Sequence, residues 1–463
     1  MAKTCPTVGK SNVQAVYACL EDVSGMLQKP QSTDYVVPRG NASMNQTPTN
    51  SASEELSSSL NVIDQFQDAV QAGEASIPMV LRLPADGGYM QGHALLLAAM
   101  GDVQEPDTAT AALSAEADTD AVSLSIDTIA GGVFPPRGIV QIDDEKILYT
   151  GVTSDGGKVT ALTGCVRGYA RTAAASHVAD SVITLKSRTY LQDTCRNTVS
   201  IWMQNDHLVT FGSGGVVTGT DFSMSNEGGQ AVDVTVQFRQ MGWCGRSFIS
   251  GSPAGQVITV VDEKDEPASQ AYTVGGYIKN STKKADNSGA GYRITAVDDE
   301  AGTITVDGSI AGWGDGDQLD AWLPTAKPIG DPIESRSVRV FVDGKTGKVR
   351  EGSLSIGTPT EFTSEIGDEF PGESVDTKRE ISVEMNIYLR AKDAKELGKG
   401  YEGYEVPVSV LFGKKAGATL AAHMPRVKMS MPEIGVDGAS FTLNRTGSVL
   451  GVTGEDALYL IQE

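Results

Sequence analysis

Two stretches of this chain begin alike. Thr47-Pro48-Thr49 leads to Ser53-Glu54, and Thr358-Pro359-Thr360 leads at identical spacing to Ser364-Glu365. Each run sits in a polar, proline-bearing stretch that precedes an apolar strand. The sequence therefore reads as one structural unit written twice, which limits the fold to a tandem pair.

Inside each copy the patterning is that of strands. Ile381, Val383, Met385, Ile387 and Leu389 alternate with Glu380, Ser382, Glu384, Asn386 and Tyr388, the period-two signature of a strand with one face buried. The same alternation runs through Ile77, Met79, Leu81 and Leu83, through Val199, Ile201 and Met203, through Val232, Val234, Val236 and Phe238, and through Val427, Met429 and Met431. Helical signal is sparse. His93 to Met100 ends at Gly101 and Ala391 to Leu397 ends at Gly398, each a short helix with glycine where a C-terminal cap favours it. The order of polar loop, alternating strand, short helix and further strands recurs, and the protein is expected to be mainly antiparallel β.

Two further segments are strand- and turn-rich, about Asp118 to Leu185 and Ser252 to Pro324. They resemble each other, since Tyr149 to Thr160 and Arg293 to Thr305 both read as hairpins turned by Asp and Gly. Small β modules set outside the main architecture are predicted there, with boundaries at 118–187 and 252–326. The repeated units are then 1–117 with 188–251, and 327–463.

Length allows roughly two to four domains at about 100 to 200 residues each. With 6% aromatics, 21% charged residues and 52 Gly, the composition is that of a soluble, turn-rich β protein, and no apolar run approaches the ~20 residues of a membrane-spanning helix. The amino terminus lacks the basic start and apolar stretch of a secretory signal, so the chain is expected to stay in the compartment where it is made. Cys5, Cys19, Cys165, Cys195 and Cys244 show no CxxC pair. Neither a disulfide framework nor a zinc site is indicated, and glycosylation at Asn41 or Asn444 is not expected.

Against 37 basic side chains stand 59 acidic ones, a formal charge of -22. Nucleic-acid binding relies on Lys and Arg displacing phosphate counterions, so this balance excludes an ordinary DNA binder. Catalytic patterns are absent as well. His93, His177, His207 and His423 lie far apart without ligand spacing. Gly212-Ser-Gly-Gly reads as a turn, and Asp315-Gly-Asp-Gln-Leu-Asp320 lacks the glutamate of a calcium loop, Ala326 standing in its place. Trp202, Trp243, Trp313 and Trp322 are too dispersed to make a sugar platform, although Trp313 and Trp322 share one module and could be surface-exposed. No catalytic, cofactor-binding or metal-ligating residue is assigned, and no enzymatic activity is expected.

The opening strand around Tyr17-Ala-Cys-Leu-Glu-Asp-Val-Ser-Gly, the helix His93 to Gly101, and the closing patterns Val406-Pro-Val-Ser-Val-Leu-Phe-Gly, His423 to Pro432 and Phe441-Thr-Leu-Asn resemble the tail tube (major tail) proteins of long-tailed bacteriophages. Separately, Phe134 to Val152 followed by Leu162-Thr-Gly-Cys-Val-Arg-Gly-Tyr is similar to a module that recurs in phage tail and baseplate proteins, with Thr-Gly-x-x-Arg-Gly as its core.

The resemblance implies two tandem tail-tube-type β-sandwich or barrel units, each with a short helix, and two accessory β modules. Family tubes are stacked hexameric rings of single-unit subunits, so a doubled unit implies a trimeric, pseudo-hexameric ring. The implied partners are further copies of the chain, a tape measure protein, a tail terminator or distal tail protein, and phage DNA passing without specific binding. The implied location is the virion tail, assembled in the host bacterial cytoplasm, with no membrane.

A tube that passes DNA must not hold it, and a carboxylate-lined wall repels the duplex. Glu380, Ser382, Glu384 and Asn386 are the candidate lumen-facing residues; the strand near Ser76 to Arg82 carries fewer charges. The stretches 41–55 and 352–378, with Thr47, Pro48, Thr49 and Glu54, and Thr358, Pro359, Thr360 and Glu365, are the candidate ring-stacking loops. Alternatives are another virion part, such as a baseplate or capsid decoration protein, and a β-sandwich adhesin or polysaccharide-active protein.

Overall fold

A computed structural model describes residues 14–53, 64–85, 87–131, 133–169, 172–225, 228–283, 291–390, 400–401, 403–415, 417–438 and 440–463. Thirteen strands carry the main architecture, in chain order β1 (Gln14–Leu20), β2 (Ser43–Asn45), β3 (Gly73–Val80), β4 (Val199–Asn205), β5 (Leu208–Met224), β6 (Ala231–Phe238), β7 (Val338–Val342), β8 (Val349–Gly357), β9 (Glu380–Tyr388), β10 (Glu405–Lys415), β11 (Ala418–Met429), β12 (Glu433–Asp437) and β13 (Ser440–Val449). The helix α1 (His93–Met100) follows β3. The second expected helix, Ala391 to Leu397, lies outside the described residues.

Strand pairing follows the same order in the first and second halves of the main architecture. In the first half β1 pairs with β4, β4 with β5, β5 with β6, β6 with β3 and β3 with β2, all antiparallel. In the second half β7 pairs with β10, β10 with β11, β11 with β13, β13 with β9 and β9 with β8, again antiparallel. The chain of partners is the same, with β12 continuing β11 beyond Pro432 as the outer arm of the hairpin to β13. One pairing joins the halves: β5 lies against β8, Gly219 opposite Gly357 and Met224 opposite Gly352. The result is a continuous run of eight strands, β2-β3-β6-β5-β8-β9-β13-β11.

Gly212-Ser-Gly-Gly, expected as a turn, lies inside the 17-residue β5. There the strand leaves β4 and β1 and enters the eight-strand sheet. Gly214 has φ +64, and a Cβ on Gly215 would meet the Val199 carbonyl oxygen at 2.6 Å, so glycine permits the bend that a side chain would block. The expected Ile77 to Leu83 strand is likewise broken after Val80, and Met431 falls past the end of β11.

One core serves both halves. Ala75, Ile77, Val234 and Phe222 from the first pack in the same buried cluster as Ile356, Val383, Val410 and Leu420 from the second. Phe222 and Phe412 face each other across the join with ring centres 6.1 Å apart. The helix α1 fills this core: every residue from Ala94 to Met100 is buried, which matches a helix apolar on all sides. It ends at Gly101, whose φ of +111 and close approach to Asp193 Cβ and the Cys195 carbonyl leave no room for a side chain.

The two accessory segments are β structures; the first has a core of its own, and the core of the second is continuous with Tyr17, Trp202, Val209 and Phe211 from β1, β4 and β5. The first is a seven-stranded sheet that takes in Thr110–Leu113, so it begins before residue 118; the second is a closed six-stranded barrel that takes in Ser247–Ile249, ahead of residue 252. Trp313 and Trp322, expected at the surface, are 6% and 8% exposed. They pack against Tyr292 and Tyr277, with ring centres 5.1 Å and 5.9 Å apart. Among the described residues no helix is long and apolar enough to cross a membrane.

Candidate functional site

The eight-strand sheet has one apolar and one polar face because every strand alternates in register with its neighbours. Residues directly opposite on paired strands point to the same side, so the rows can be followed across the sheet. One runs Ser43, Ser76, Thr235, Gly219, Gly357, Glu380. The next runs Pro78, Asp233, Asp221, Ser355, Ser382, Ser448, Lys428. A third runs Ser223, Ser353, Glu384, Thr446.

Glu380, Ser382 and Glu384 are exposed on this face and Asn386 is half-buried. Side chains link along and between the rows: Asn444 Nδ2 donates diagonally to Glu384 Oε1 at 2.6 Å, Asn386 Nδ2 to Glu351 Oε1 at 3.1 Å, and the Ser355 hydroxyl to Asp221. Glu74, Asp221, Asp233, Glu351, Glu380 and Glu384 make the face acidic, with Lys428 at one side and Arg39 weakly paired to Asp233 at 3.4 Å.

Sequence reasoning found the β9 residues and missed Glu74, Asp221 and Asp233. Their signal was present as the polar half of the alternation in β3, β5 and β6. The matching positions Glu74 and Glu380, and Ser76 and Ser382, show that the two halves present like residues to the same side.

The two polar stretches fold as hairpins. Pro48–Ala52 pairs with Gln65–Val70, and Thr360–Phe362 with Ser374–Asp376. Thr47, Pro48 and Thr49 are exposed; Glu54 lies outside the described residues. Thr358 and Thr360 are 4% and 9% exposed, which overturns their expected place on a gripping surface. They anchor the hairpin base instead: the Thr358 amide extends the β5–β8 ladder by donating to the Thr218 carbonyl at 2.9 Å, and Arg196 donates to Thr360 Oγ1 at 2.8 Å and to Asp376 Oδ2 at 2.6 Å. Glu365 and the wholly exposed Ile366 are at the tip.

The Thr-Gly-x-x-Arg-Gly core forms a buried clamp. Arg167 binds Glu145 through both carboxylate oxygens, Nε to Oε1 at 2.9 Å and Nη2 to Oε2 at 2.7 Å. It also donates to the carbonyls of Asp118 and Ala175. The amides of Gly168 and Ala175 and the ring of His177 complete the shell around Glu145. Burial alone would raise the Glu145 pKa; the hydrogen bonds from Arg167, the two amides and His177 outweigh it and hold the carboxyl at about 2.

Since this folded pKa is depressed below the ordinary 4.5, the clamp stabilises fully above pH 4.5 and fades as pH falls towards 2. Acid unfolding should show that loss in the wild type and not in Glu145→Gln. Arg167→Ala leaves a buried carboxylate unpaired and should cost about 3–5 kcal/mol in denaturant titration; a loss below about 1 kcal/mol would contradict the clamp.

The remaining histidines sit in structural settings. His93 Nδ1 is 2.7 Å from the Tyr190 hydroxyl, and burial, aided by Arg188, pushes its pKa down to about 4. His423 Nδ1 is 2.5 Å from Ser409 Oγ. The described cysteines Cys19, Cys165, Cys195 and Cys244 are unpaired thiols. Among the described residues no cluster of three or more His, Cys, Asp or Glu is placed to hold a metal ion. Compared with models of known families and with curated proteins, the chain matches none.

Proposed function

We propose that the chain is a structural subunit of a tail tube, in which three copies join edge to edge into a ring, rings stack, and DNA passes along the acidic face. The observation that carries this reading is the eight-strand sheet itself. It is apolar and packed on one side and polar and acidic on the other, and among the described residues no strand covers the outer edge of β2 or the edge of β12. Open edges of this kind template further pairing, and closure into a ring removes them.

Three copies supply about 24 strands, beyond the 16 to 18 at which porin barrels leave an aqueous channel. At a strand spacing of about 4.8 Å the backbone ring would be roughly 37 Å across or wider, room for a duplex and a water layer. Within the channel, carboxylates repel phosphate and no surplus of Lys or Arg releases counterions to hold it.

Electron microscopy of the purified protein tests the assembly. Hollow threefold rings or tubes are the expected result. Isolated single copies at every concentration would contradict it, as would a protein found only on capsids.

A further inference from the structure

The seven-stranded module rests on the body over a small apolar contact with a void beside it. Along β10, Val408, Val410 and Phe412 enter the shared core, so the alternation of a strand turns Ser409 and Leu411 to the opposite side. Their partners across the β10–β11 ladder are His423 and Ala421. The module lands on this outer side. Ile139 packs with Tyr459 and Ile461 as one buried cluster, and Lys146 pairs with Glu463 at 2.5 Å.

Next to that contact the two surfaces do not meet. A cavity of about 630 Å³ lies between them, walled by Leu148 and Val166 from the module, Phe341 from β7, and Leu411, Ala421 and Ile461 from the body. A volume in this range suits a small molecule, which apolar walls bind and a few polar groups orient. Branched aliphatic side chains dominate the walls, so an alkyl chain complements them.

The cavity holds one uncompensated charge. Arg137, Ser409 and His423 also line it, and among the described residues no Asp, Glu or Lys does. The Ser409 hydroxyl lies 2.5 Å from His423 Nδ1, and burial, aided by Arg137, pushes the His423 pKa down to about 3. The ring is therefore neutral at physiological pH. Half-buried Arg137 lays its guanidinium over the Tyr459 ring, 5.3 Å from the centre, and makes no ion pair among the described residues.

Other cations of this region are matched: Lys146 with Glu463, Arg167 with Glu145 and Arg188 with Glu105. Burial lowers the Arg137 pKa, a loss that Tyr459 and Asp456 do not make up. A partly buried cation without a counter-ion is a cost within the chain, and a bound anion removes it.

We propose that this cavity binds a fatty carboxylate, whose alkyl chain lies against Leu148, Val166, Leu411 and Ile461 and whose carboxylate accepts hydrogen bonds from Arg137. The ligand completes the contact between module and body. This site belongs to a single copy and stands whether or not copies join into rings.

Calorimetric titration of the full chain with dodecanoate, kept below its micelle concentration, tests the site. Saturable binding of one molecule per chain is expected, with uncharged dodecanol of equal chain length about tenfold weaker, the difference one charged hydrogen-bonding group makes. Arg137→Met keeps a long side chain without the charge, and it should bring dodecanoate down to the dodecanol level. Ala421→Phe fills the cavity from β11 and should abolish binding of both.

Unchanged thermal transitions of the two variants without ligand would show that their folds are kept, and the comparison of the two ligands on the wild type needs neither variant. Equal affinity of the wild type for dodecanoate and dodecanol would overturn the proposal, as would uptake that never saturates. Dodecanoate binding undiminished in Ala421→Phe would place the ligand elsewhere and overturn it as well.

Discussion

Replacing Glu380 and Glu384 by Lys is expected to leave folding and assembly unchanged and to turn a channel that ignores DNA into one that holds it. Both side chains are exposed on the polar face and neither packs in the core, so the fold loses little. The Glu384 carboxylate accepts one hydrogen bond, from Asn444, and a surface contact of that kind contributes about 1 kcal/mol or less.

Its effect on DNA is larger. In a ring of three copies the double replacement reverses about six charges, and each lysine near a phosphate adds close to one counterion-release term to the salt dependence. Assembled variant protein should retain duplex DNA at low salt and release it as salt rises, where the wild type retains none. In virions the same variant should slow genome ejection at least tenfold. Glu380→Gln with Glu384→Gln, which removes repulsion without adding attraction, should fall near the wild type. A Lys variant that neither binds DNA nor delays ejection would remove these residues from the lumen.

Phe222→Ala should be the most destabilising single change in the main body. Phe222 is 1% exposed, belongs to the first half and meets Phe412 of the second at 6.1 Å. Truncating a buried phenylalanine costs about 3–5 kcal/mol through lost transfer energy and an unfilled cavity. Because the cavity opens in a core that both halves share, the loss should appear as a lower midpoint for the main unfolding transition, without an early transition confined to the first half. Two well-separated transitions, of which only one responds, would show that the halves are independent bodies and that the β5–β8 join is a weak contact.

Much of this arrangement is legible in the residues. The alternation in Glu380–Tyr388 identifies a strand, its buried side and its polar side at once, since period two admits one assignment. The duplicated Thr-Pro-Thr runs mark the tandem units, because each precedes a hairpin at the same place in its half. Pairing between β5 and β8 is not legible: it joins residues more than a hundred positions apart, and strand partners at that separation are chosen by packing rather than by local pattern.

Local patterns also mislead where tertiary packing overrides them. Gly212 to Gly215 has the composition of a turn, yet here glycine lets one long strand bend between two sheets. Thr358 and Thr360 have the look of exposed loop residues and are buried because the Thr358 amide continues the β5–β8 ladder to the Thr218 carbonyl and Arg196, from the segment before β4, reaches across to bind Thr360 and Asp376. Trp313 and Trp322 are drawn into the small barrel by aromatic neighbours distant in sequence. The acidic face emerges only when β3, β5, β6 and β8 are laid beside β9, which no single strand reveals.

The central claim is that three copies close this sheet with its acidic face inward. A cryo-electron microscopy map of the assembled protein measures this most directly. The account predicts threefold rings in which Asp221, Asp233, Glu380 and Glu384 line a continuous pore. Rings that turn this face outward, or a channel too narrow for a duplex, would contradict it.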